Sequence, residues 1–187
     1  MEFDGTFELE GVTVDEVWLA LSDPVLIQRA LPGCEFLVQV DEDHPDFEEL
    51  AASAPDRDPS NDPAVIRERA FREGGRYAAL VELGVGSITP SFETVVTLEE
   101  RDDDAHRMTA SGEGSAGNSS FEMRAGMTLA ASGDGVTVEW WTEADVFGRI
   151  AQMGQRVLNP VANRVIKRFF KAVQSELDAL EFEDDAV

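Results

Sequence analysis

The stretch GRIAQMG (residues 148–154) decides the fold of this chain, because it joins a run of predicted strands to one long amphipathic segment. A second glycine-containing turn, LPGC (residues 31–34), stands near the N-terminus. Between the two turns, apolar and polar side chains mostly alternate, which is the period of half-buried strands. The order of one strand, two short helices, further strands and a long last helix predicts an α+β fold. In that fold a curved antiparallel sheet grips the C-terminal helix around a cavity.

Two short helices are predicted directly after the first strand. Thr13 and Glu16 form a capping box, in which each side chain satisfies a backbone N–H group at the start of the first helix. The second helix begins at Pro24, since proline is tolerated at the first helical position. The turn at residues 31–33 ends it.

The alternating segments predict about seven strands, mostly joined as hairpins. Residues 41–73 differ from them, because they hold four of the eight prolines and many acidic side chains. We expect this insertion to be solvated and mobile, with short helices at 47–52 and 63–71. We expect one domain over residues 1–181 and a frayed acidic tail over 182–187.

The final helix is predicted to carry one apolar side and one cationic side, with Pro160 kinking or interrupting it. At 100° per residue, one broad arc holds Ile150, Leu158, Val161, Val165, Phe169, Val173, Leu177 and Leu180. A separate arc of roughly 80° holds Arg149, Arg156, Arg164, Lys167 and Lys171. This cationic stripe either balances nearby acidic strands or docks onto anionic lipid headgroups or an acidic partner enzyme.

The chain carries 38 acidic and 15 basic residues, a net charge of −23. Such a surface favours adaptation to a salt-rich cytoplasm, where salt screens the self-repulsion. It argues against nucleic acid as a partner, because binding requires a concentrated cationic footprint. No stretch approaches the roughly 20 apolar residues of a spanning helix, and residues 1–4 lack the basic start of a secretory signal. We therefore expect a cytoplasmic protein.

No residue set predicts catalysis or a metal site. The single cysteine, Cys34, has apolar neighbours and is interpreted as a buried structural thiol. His44 and His106 are interpreted as surface histidines, because neither stands at ligand spacing from a second nitrogen or sulfur. No serine lies on a strand-to-helix elbow near either histidine. We therefore expect neither a catalytic site nor a cofactor.

Small residues in one predicted strand point to a ligand cavity. Ala110, Gly112, Gly114 and Ala116 share a face with Met108, and on the inner face they would leave volume unfilled opposite the helix. The alternative is that the glycines only permit strong curvature of the sheet. The candidate ligand-binding residues are Leu31, Pro32, Phe92, Gly112, Phe121, Met123, Trp140, Ile150, Met153, Gly154 and Val157.

In several motifs the sequence resembles the carbon monoxide dehydrogenase G-subunit family, within the polyketide cyclase, START and Bet v 1-like superfamily (SRPBCC). The similarity covers nearly the whole chain apart from residues 41–73 and the tail. The matching motifs are FDGTF (3–7), VW (17–18) with LSDP (21–24), LPGC (31–34), GEG (112–114) with Gly117, and residues 148–154 before Phe169-Phe170.

The resemblance implies a helix-grip fold, with a curved seven-stranded sheet around the C-terminal helix. It also implies a non-catalytic accessory protein for a molybdenum hydroxylase of the carbon monoxide dehydrogenase type. Such a protein would bind an apolar small molecule, quinone-like or lipid, at the inner face of the membrane. Two alternatives stay open: a polyketide cyclase or hydrolase of the same superfamily, and a purely structural assembly factor.

Overall fold

The computed structural model describes residues 1–180. Within them, seven strands form one antiparallel sheet in the order β1-β7-β6-β5-β4-β3-β2, which confirms the predicted strand content. The strands are β1 Glu2–Leu9, β2 Cys34–Val40, β3 Arg76–Glu82, β4 Ser91–Asp102, β5 Arg107–Ala116, β6 Ser119–Ser132 and β7 Gly135–Gly148. The acidic tail expected at 182–187 lies outside the described residues.

The helices follow the predicted order. They are α1 Val14–Leu21, α2 Pro24–Ala30, α3 Phe47–Ser53, α4 Pro63–Arg69 and α5 Gln155–Ala179, with a 3₁₀ turn at Ile150–Met153 before α5. The capping box of α1 is present, because Glu16 N donates to Thr13 Oγ1 at 3.2 Å and Thr13 N donates to Glu16 Oε2 at 2.8 Å. None of the helices within the described residues is both long and apolar enough to cross a bilayer.

The start of α5 differs from the prediction. Gly154 adopts φ 74° and ψ 167°, a backbone region that essentially only glycine occupies, and it separates the 3₁₀ turn from α5. Helical periodicity therefore places Ile150 and Arg149 wrongly, because both precede the helix. Pro160 does not interrupt α5, which runs through it.

The inner face of the sheet carries two separate groups of buried side chains. The large core contains Leu9, Leu98, Met108, Leu129 and Val136, which lie at one end of their strands, together with residues of α1, α2 and the C-terminal half of α5. The small core contains Phe92, which lies near the opposite end of its strand, together with Val85, Ile150, Leu158 and Val161. The two cores thus occupy opposite ends of the interior.

Phe170 on α5 belongs to the large core. Its ring lies 5.0 Å from that of Phe7 and 6.2 Å from that of Trp140, measured between centroids. The predicted apolar arc contains Phe169 instead, but Phe169 is only half-buried. The buried side of α5 rotates along the helix, so a single straight arc omits Phe170.

The insertion at residues 41–73 packs against the rest of the molecule. Its two short helices, α3 and α4, confirm the predicted pair. The expectation of a merely solvated segment is wrong for α4, because Ile66 is 1% exposed and Arg69 donates to both carboxylate oxygens of Asp23 at 2.8 Å. The ring of Phe47 in α3 lies 6.3 Å from that of Phe36 in β2.

Candidate functional site

An opening of about 300 Å³ lies between α5, the turn after α2 and the loop after β3. We call it the mouth. Its walls are formed by Pro32, Gly33, Glu82, Leu83, Gly84, Gly86, Val161, Arg164, Val165 and Arg168. Leu83, Val161 and Val165 make part of the surface apolar, and the two arginines and Glu82 supply the charges.

The turn after α2 is held against the end of β3 by a close backbone contact. Gly33 has φ +76°, and a methyl group at this position would overlap the carbonyl oxygen of Glu82. In the other direction, Glu82 N donates to Gly33 O at 2.9 Å. Only glycine combines this conformation with this approach. The LPGC motif therefore places Pro32 and Glu82 on the same wall of the mouth.

Arg164 and Arg168 are separated by one turn of α5, and both are exposed. Neither forms an ion pair within 4.0 Å with any residue of the described chain. The one carboxylate in the wall of the mouth, as far as residues 1–180 form it, belongs to Glu82. The mouth thus carries a net positive charge in a chain of net charge −23.

The small core lies beside the mouth and contains five of the predicted ligand-binding residues. These are Phe92, Phe121, Ile150, Met153 and Val157. The rings of Phe92 and Phe121 meet edge to face at 5.3 Å. Met153 and Val157 lie 3.9 Å from the position of a Cβ at Gly86, which is a mouth residue. These side chains pack against each other, and their role in ligand binding stays a prediction.

Side chains of β6 lie directly over the β5 glycines, and unfilled volume opposite α5 stays a prediction. A Cβ at Gly114 would lie 2.5 Å from the ring of Phe121, and one at Gly112 would lie 3.3 Å from Met123 Cγ. The antiparallel register explains both contacts, because Gly114 pairs with Phe121 and Gly112 pairs with Met123. Large side chains of β6 therefore cover the glycines of β5.

A group of inward-facing side chains on β4, β6 and β7 is half-buried. Val96, Met123, Ala125, Trp140 and Thr142 are half-buried, whereas Phe92 and Leu98 at either end of the same face are buried. This band separates the small core from the large core.

The remaining predicted ligand-binding residues lie in different places. Pro32 lines the mouth and Leu31 is its half-buried neighbour at the C-terminal cap of α2. Trp140 packs against the large core, and Gly154 caps α5. Of the ten mouth residues, Pro32 alone belongs to the predicted ligand-binding set, and Arg164 is predicted only as a docking cation. The prediction omits the apolar Leu83, Val161 and Val165 and the charged Glu82 and Arg168. The position of Arg168 four residues after Arg164 is the one sequence signal that indicates it.

A larger trough of about 590 Å³ lies on the outer face of the sheet. Its walls include Gly112 and Met123 from the predicted ligand-binding set. Its charged side chains are those of Glu2, Glu113, Glu122, Arg124, Glu143 and Asp145. This strongly acidic lining is a poor surface for an apolar molecule, because burying unpaired carboxylates is costly.

Four of the five predicted docking cations lie on α5, namely Arg156, Arg164, Lys167 and Lys171. Arg149 stands before the 3₁₀ turn, with its backbone N donating to Asn118 O at 3.1 Å. Residues 146–175 contain six basic side chains and no acidic one. The exposed ring of Phe147 lies within this stretch, with 46% of its surface accessible.

The cysteine and the two histidines do not form a reactive centre. Burial, and secondarily Glu35, raises the pKa of the Cys34 thiol to about 12, so it stays protonated at neutral pH. His44 is exposed. The prediction of a surface histidine holds only in part for His106, which is half-buried. Its ring packs edge to face on that of Trp18 at 5.6 Å. Among the described residues, no group of three or more potential ligands is arranged to hold a metal ion.

Comparison with known proteins identifies a family and a fold. Residues 69–178 match the family of the G subunit of carbon monoxide dehydrogenase (CoxG). A conserved protein from Geobacillus kaustophilus is 22% identical, with 96% of each chain covered and a TM-score of 0.72. No curated protein sequence matches the chain.

More distant structures share the fold. Ara h 8.0201 is 10% identical, with 96% of this chain and 98% of that chain covered and a TM-score of 0.58. A norcoclaurine synthase point mutant from Thalictrum, in complex with a transition-state analogue, is 12% identical. There, 96% of this chain and 94% of that chain are covered, with a TM-score of 0.57. The predicted helix-grip fold is therefore confirmed.

Proposed function

The chain belongs to the CoxG family, and from that premise we propose that it is a non-catalytic carrier of an apolar small molecule. The observation that carries this proposal is the mouth beside α5, whose apolar surface is supplied by Leu83, Val161 and Val165. Removing apolar ligand surface from water there contributes about 25 cal/mol per Å². The half-buried band behind the small core is the part of the interior that would receive the rest of the molecule.

The family supports a more specific assignment. It takes its name from a component of carbon monoxide dehydrogenase, so we propose that the carrier serves a molybdenum hydroxylase of that type. The ligand would be quinone-like or a lipid, and transfer would take place at the membrane face. The competing proposal of a cyclase or hydrolase needs several polar groups beside the substrate, whereas the single carboxylate in the described mouth is that of Glu82.

A neutral fluorescent probe tests the carrier function. We expect N-phenyl-1-naphthylamine to gain fluorescence on binding the wild-type protein. Val165→Trp places a large ring in the mouth, so it should weaken probe binding by at least tenfold. The matched control is Asn163→Trp, which adds the same ring at an exposed position of α5 outside the mouth. Absence of binding to the wild type would favour the structural assembly factor, and equal binding by both variants would place the ligand elsewhere.

We also propose that the cationic side of α5 contacts an anionic membrane. Residues 146–175 combine six cations, no acid and the exposed ring of Phe147. Adjacent cations and an accessible aromatic ring are the two contributions that hold peripheral proteins at the interface.

Vesicle co-sedimentation tests this contact. The triple variant Arg156→Glu, Arg164→Glu, Lys167→Glu should lose most of its binding to phosphatidylglycerol vesicles at low salt, because it reverses three charges on one helix. Arg72→Glu, Arg107→Glu, Arg124→Glu changes the net charge equally at exposed positions off α5, and we expect it to bind like the wild type. Equal loss in both triples would mean that only net charge matters. If the α5 triple variant sediments with vesicles like the wild type but no longer retains a partner enzyme in a pull-down assay, the cationic side of α5 contacts an acidic protein partner instead.

A further inference from the structure

We propose that the ligand is a single-chain amphiphile whose anionic head is bound by Arg164 and Arg168 at the mouth. The inference rests on the proposed carrier function and chooses, between its two ligand classes, the acidic lipid over the quinone. The head is a carboxylate or a phosphate group. The chain lies on the apolar wall formed by Leu83, Val161 and Val165.

Arg164 and Arg168 have no ion-pair partner among the described residues of an acid-rich protein. The chain has 38 acidic side chains for 15 basic ones, and several arginines outside α5 pair with carboxylates. Arg29 pairs with Glu176 at 3.2 Å and Arg107 pairs with Glu100 at 2.6 Å. Arg164 and Arg168 take no carboxylate from any described residue, because the stretch around them contains no acid. Their charge remains available to a bound anion.

The spacing of Arg164 and Arg168 on α5 suits a single anion. Residues four apart on a helix are neighbours on its surface, with about 5–6 Å between their Cβ atoms. Each guanidinium group presents a fork of N–H donors that matches the oxygens of a carboxylate or a phosphate. Both groups line the same small opening, so one anion can accept hydrogen bonds from both arginines.

Charged and apolar side chains lie next to each other in the wall of the mouth. Val161 lies three residues before Arg164, Val165 lies three residues before Arg168, and both valines line the same opening. On the opposite wall, Gly84 carries no side chain, and a Cβ there would meet nothing within 4 Å. At about 300 Å³, the mouth is at the lower end of small-molecule pockets, which span roughly 300–1,000 Å³. That volume suits a head group and the start of one chain.

Glu82 opposes the anion and supplies an internal control. Glu82 lines the same opening as the two arginines, on the wall opposite α5, and its negative charge repels a negative head. Replacing it by glutamine leaves its backbone hydrogen bond to Gly33 O in place. We therefore expect Glu82→Gln to strengthen binding of an anionic amphiphile about threefold to tenfold, since neighbouring charges of like sign repel, and to leave a neutral one unchanged.

Calorimetric titration with four probes of equal chain length tests the inference. The probes are decanoate, decyl phosphate, decanol and decylubiquinone. We expect the tighter of the two anions to bind at least tenfold better than decanol, and the comparison between them identifies the head as carboxylate or phosphate. Arg164→Gln with Arg168→Gln should reduce that preference to less than threefold. The matched control, Arg156→Gln with Lys171→Gln, changes two cations of the same helix outside the mouth and should retain it.

The outcomes separate this inference from the proposed function. Equal affinity for decanol and both anions, or an anion preference that survives in Arg164→Gln with Arg168→Gln, overturns the acidic head and leaves the carrier function standing. Tightest binding of decylubiquinone would likewise overturn the acidic head and leave the carrier function standing. Failure of all four probes to bind overturns both. Circular dichroism of each variant checks that α5 is intact, and glutamine is chosen because it favours helix.

Discussion

The two ends of the interior differ in how their charged side chains are paired. At the large-core end, the charged groups are paired: Asp23 with Arg69 at 2.8 Å, and Asp103 with Arg101 at 3.0 Å. Arg101 also stacks over the ring of Trp18 at 5.3 Å. At the small-core end, the mouth leaves two arginines unpaired among the described residues. Charged side chains at the large-core end form ion pairs with each other, whereas the two arginines of the mouth are exposed to solvent.

The difference separates stability from binding. A paired and buried charge is costly to break, because the remaining partner stays unsolvated. An unpaired exposed cation contributes little to folding and is free to contact a ligand. Substitutions at the large-core end should therefore change the free energy of unfolding, whereas substitutions of the mouth arginines should change affinity.

The largest expected effect is at the Asp23–Arg69 pair. Asp23 is 3% exposed, accepts two hydrogen bonds from Arg69 and also caps α2 by accepting from Val25 N at 3.0 Å. Asp23→Ala leaves the guanidinium group without its partner, and we expect a loss of about 3–5 kcal/mol in the free energy of unfolding. Urea denaturation measures it.

An exposed pair is the control for this substitution. The Arg29 side chain is 49% exposed in its ion pair with Glu176, so Arg29→Ala should cost less than about 1 kcal/mol. If Asp23→Ala destabilises the protein no more than Arg29→Ala does, the large-core end is not held by its buried pair and the comparison between the two ends fails.

A smaller effect is expected at the turn that shapes the mouth. Gly33→Ala forces a methyl group against the carbonyl of Glu82 at φ +76°, which should cost about 1–3 kcal/mol and displace one wall of the opening. Gly84→Ala, in the same wall, has open space and no positive φ, so its cost should stay within about 1 kcal/mol. Thermal unfolding and probe titration of both variants measure stability and affinity together. Equal stability of the two would show that the LPGC turn tolerates a side chain.

Much of the fold is predictable because its signals are local. The capping box at Thr13 and Glu16, the proline that opens α2 and the alternation along the strands each depend on residues close together in sequence. The two short helices of the insertion are predicted for the same reason, since α3 and α4 each begin after an aspartate cap. Their packing is not predicted, because Asp23 and Arg69 are 46 positions apart.

The site is less predictable because it depends on which elements meet. Gly112 and Gly114 have the right pattern for an empty space, but the register brings Met123 and Phe121 over them. The mouth joins the turn at Gly33 to the loop after β3, and no local pattern indicates that contact. A uniform helical arc likewise selects Phe169 over Phe170, since the face that α5 buries is set by its neighbours. Sequence therefore identifies the two glycine turns and not the opening beside them.

The smallest expected effect is a pH dependence at Asp103. Its carboxylate accepts from Trp18 Nε1 at 2.9 Å and from Arg101 Nε at 3.0 Å, and these contacts, the Trp18 bond foremost, hold the pKa of Asp103 below its ordinary value. The unfolded chain, with an aspartate pKa of about 3.9, then binds a proton more readily than the folded protein. Asp103 therefore contributes stability above that pH, and the contribution is lost as pH falls through the folded pKa.

Because the Asp103 side chain is 71% exposed, solvent screening keeps this contribution below about 1 kcal/mol. We expect Asp103→Asn to be less stable than the wild type at pH 7 and to approach it at pH 3, since the Asp103 carboxylate of the unfolded wild-type chain is then largely protonated. Urea denaturation of both proteins at the two pH values measures the gap, and taking the difference cancels the titration of the other carboxylates. If the difference in unfolding free energy between the two proteins is the same at pH 7 and at pH 3, the negative charge of Asp103 does not contribute to its contacts with Trp18 and Arg101. The stability of the large-core end would then depend on side-chain packing and on the Asp23–Arg69 pair alone.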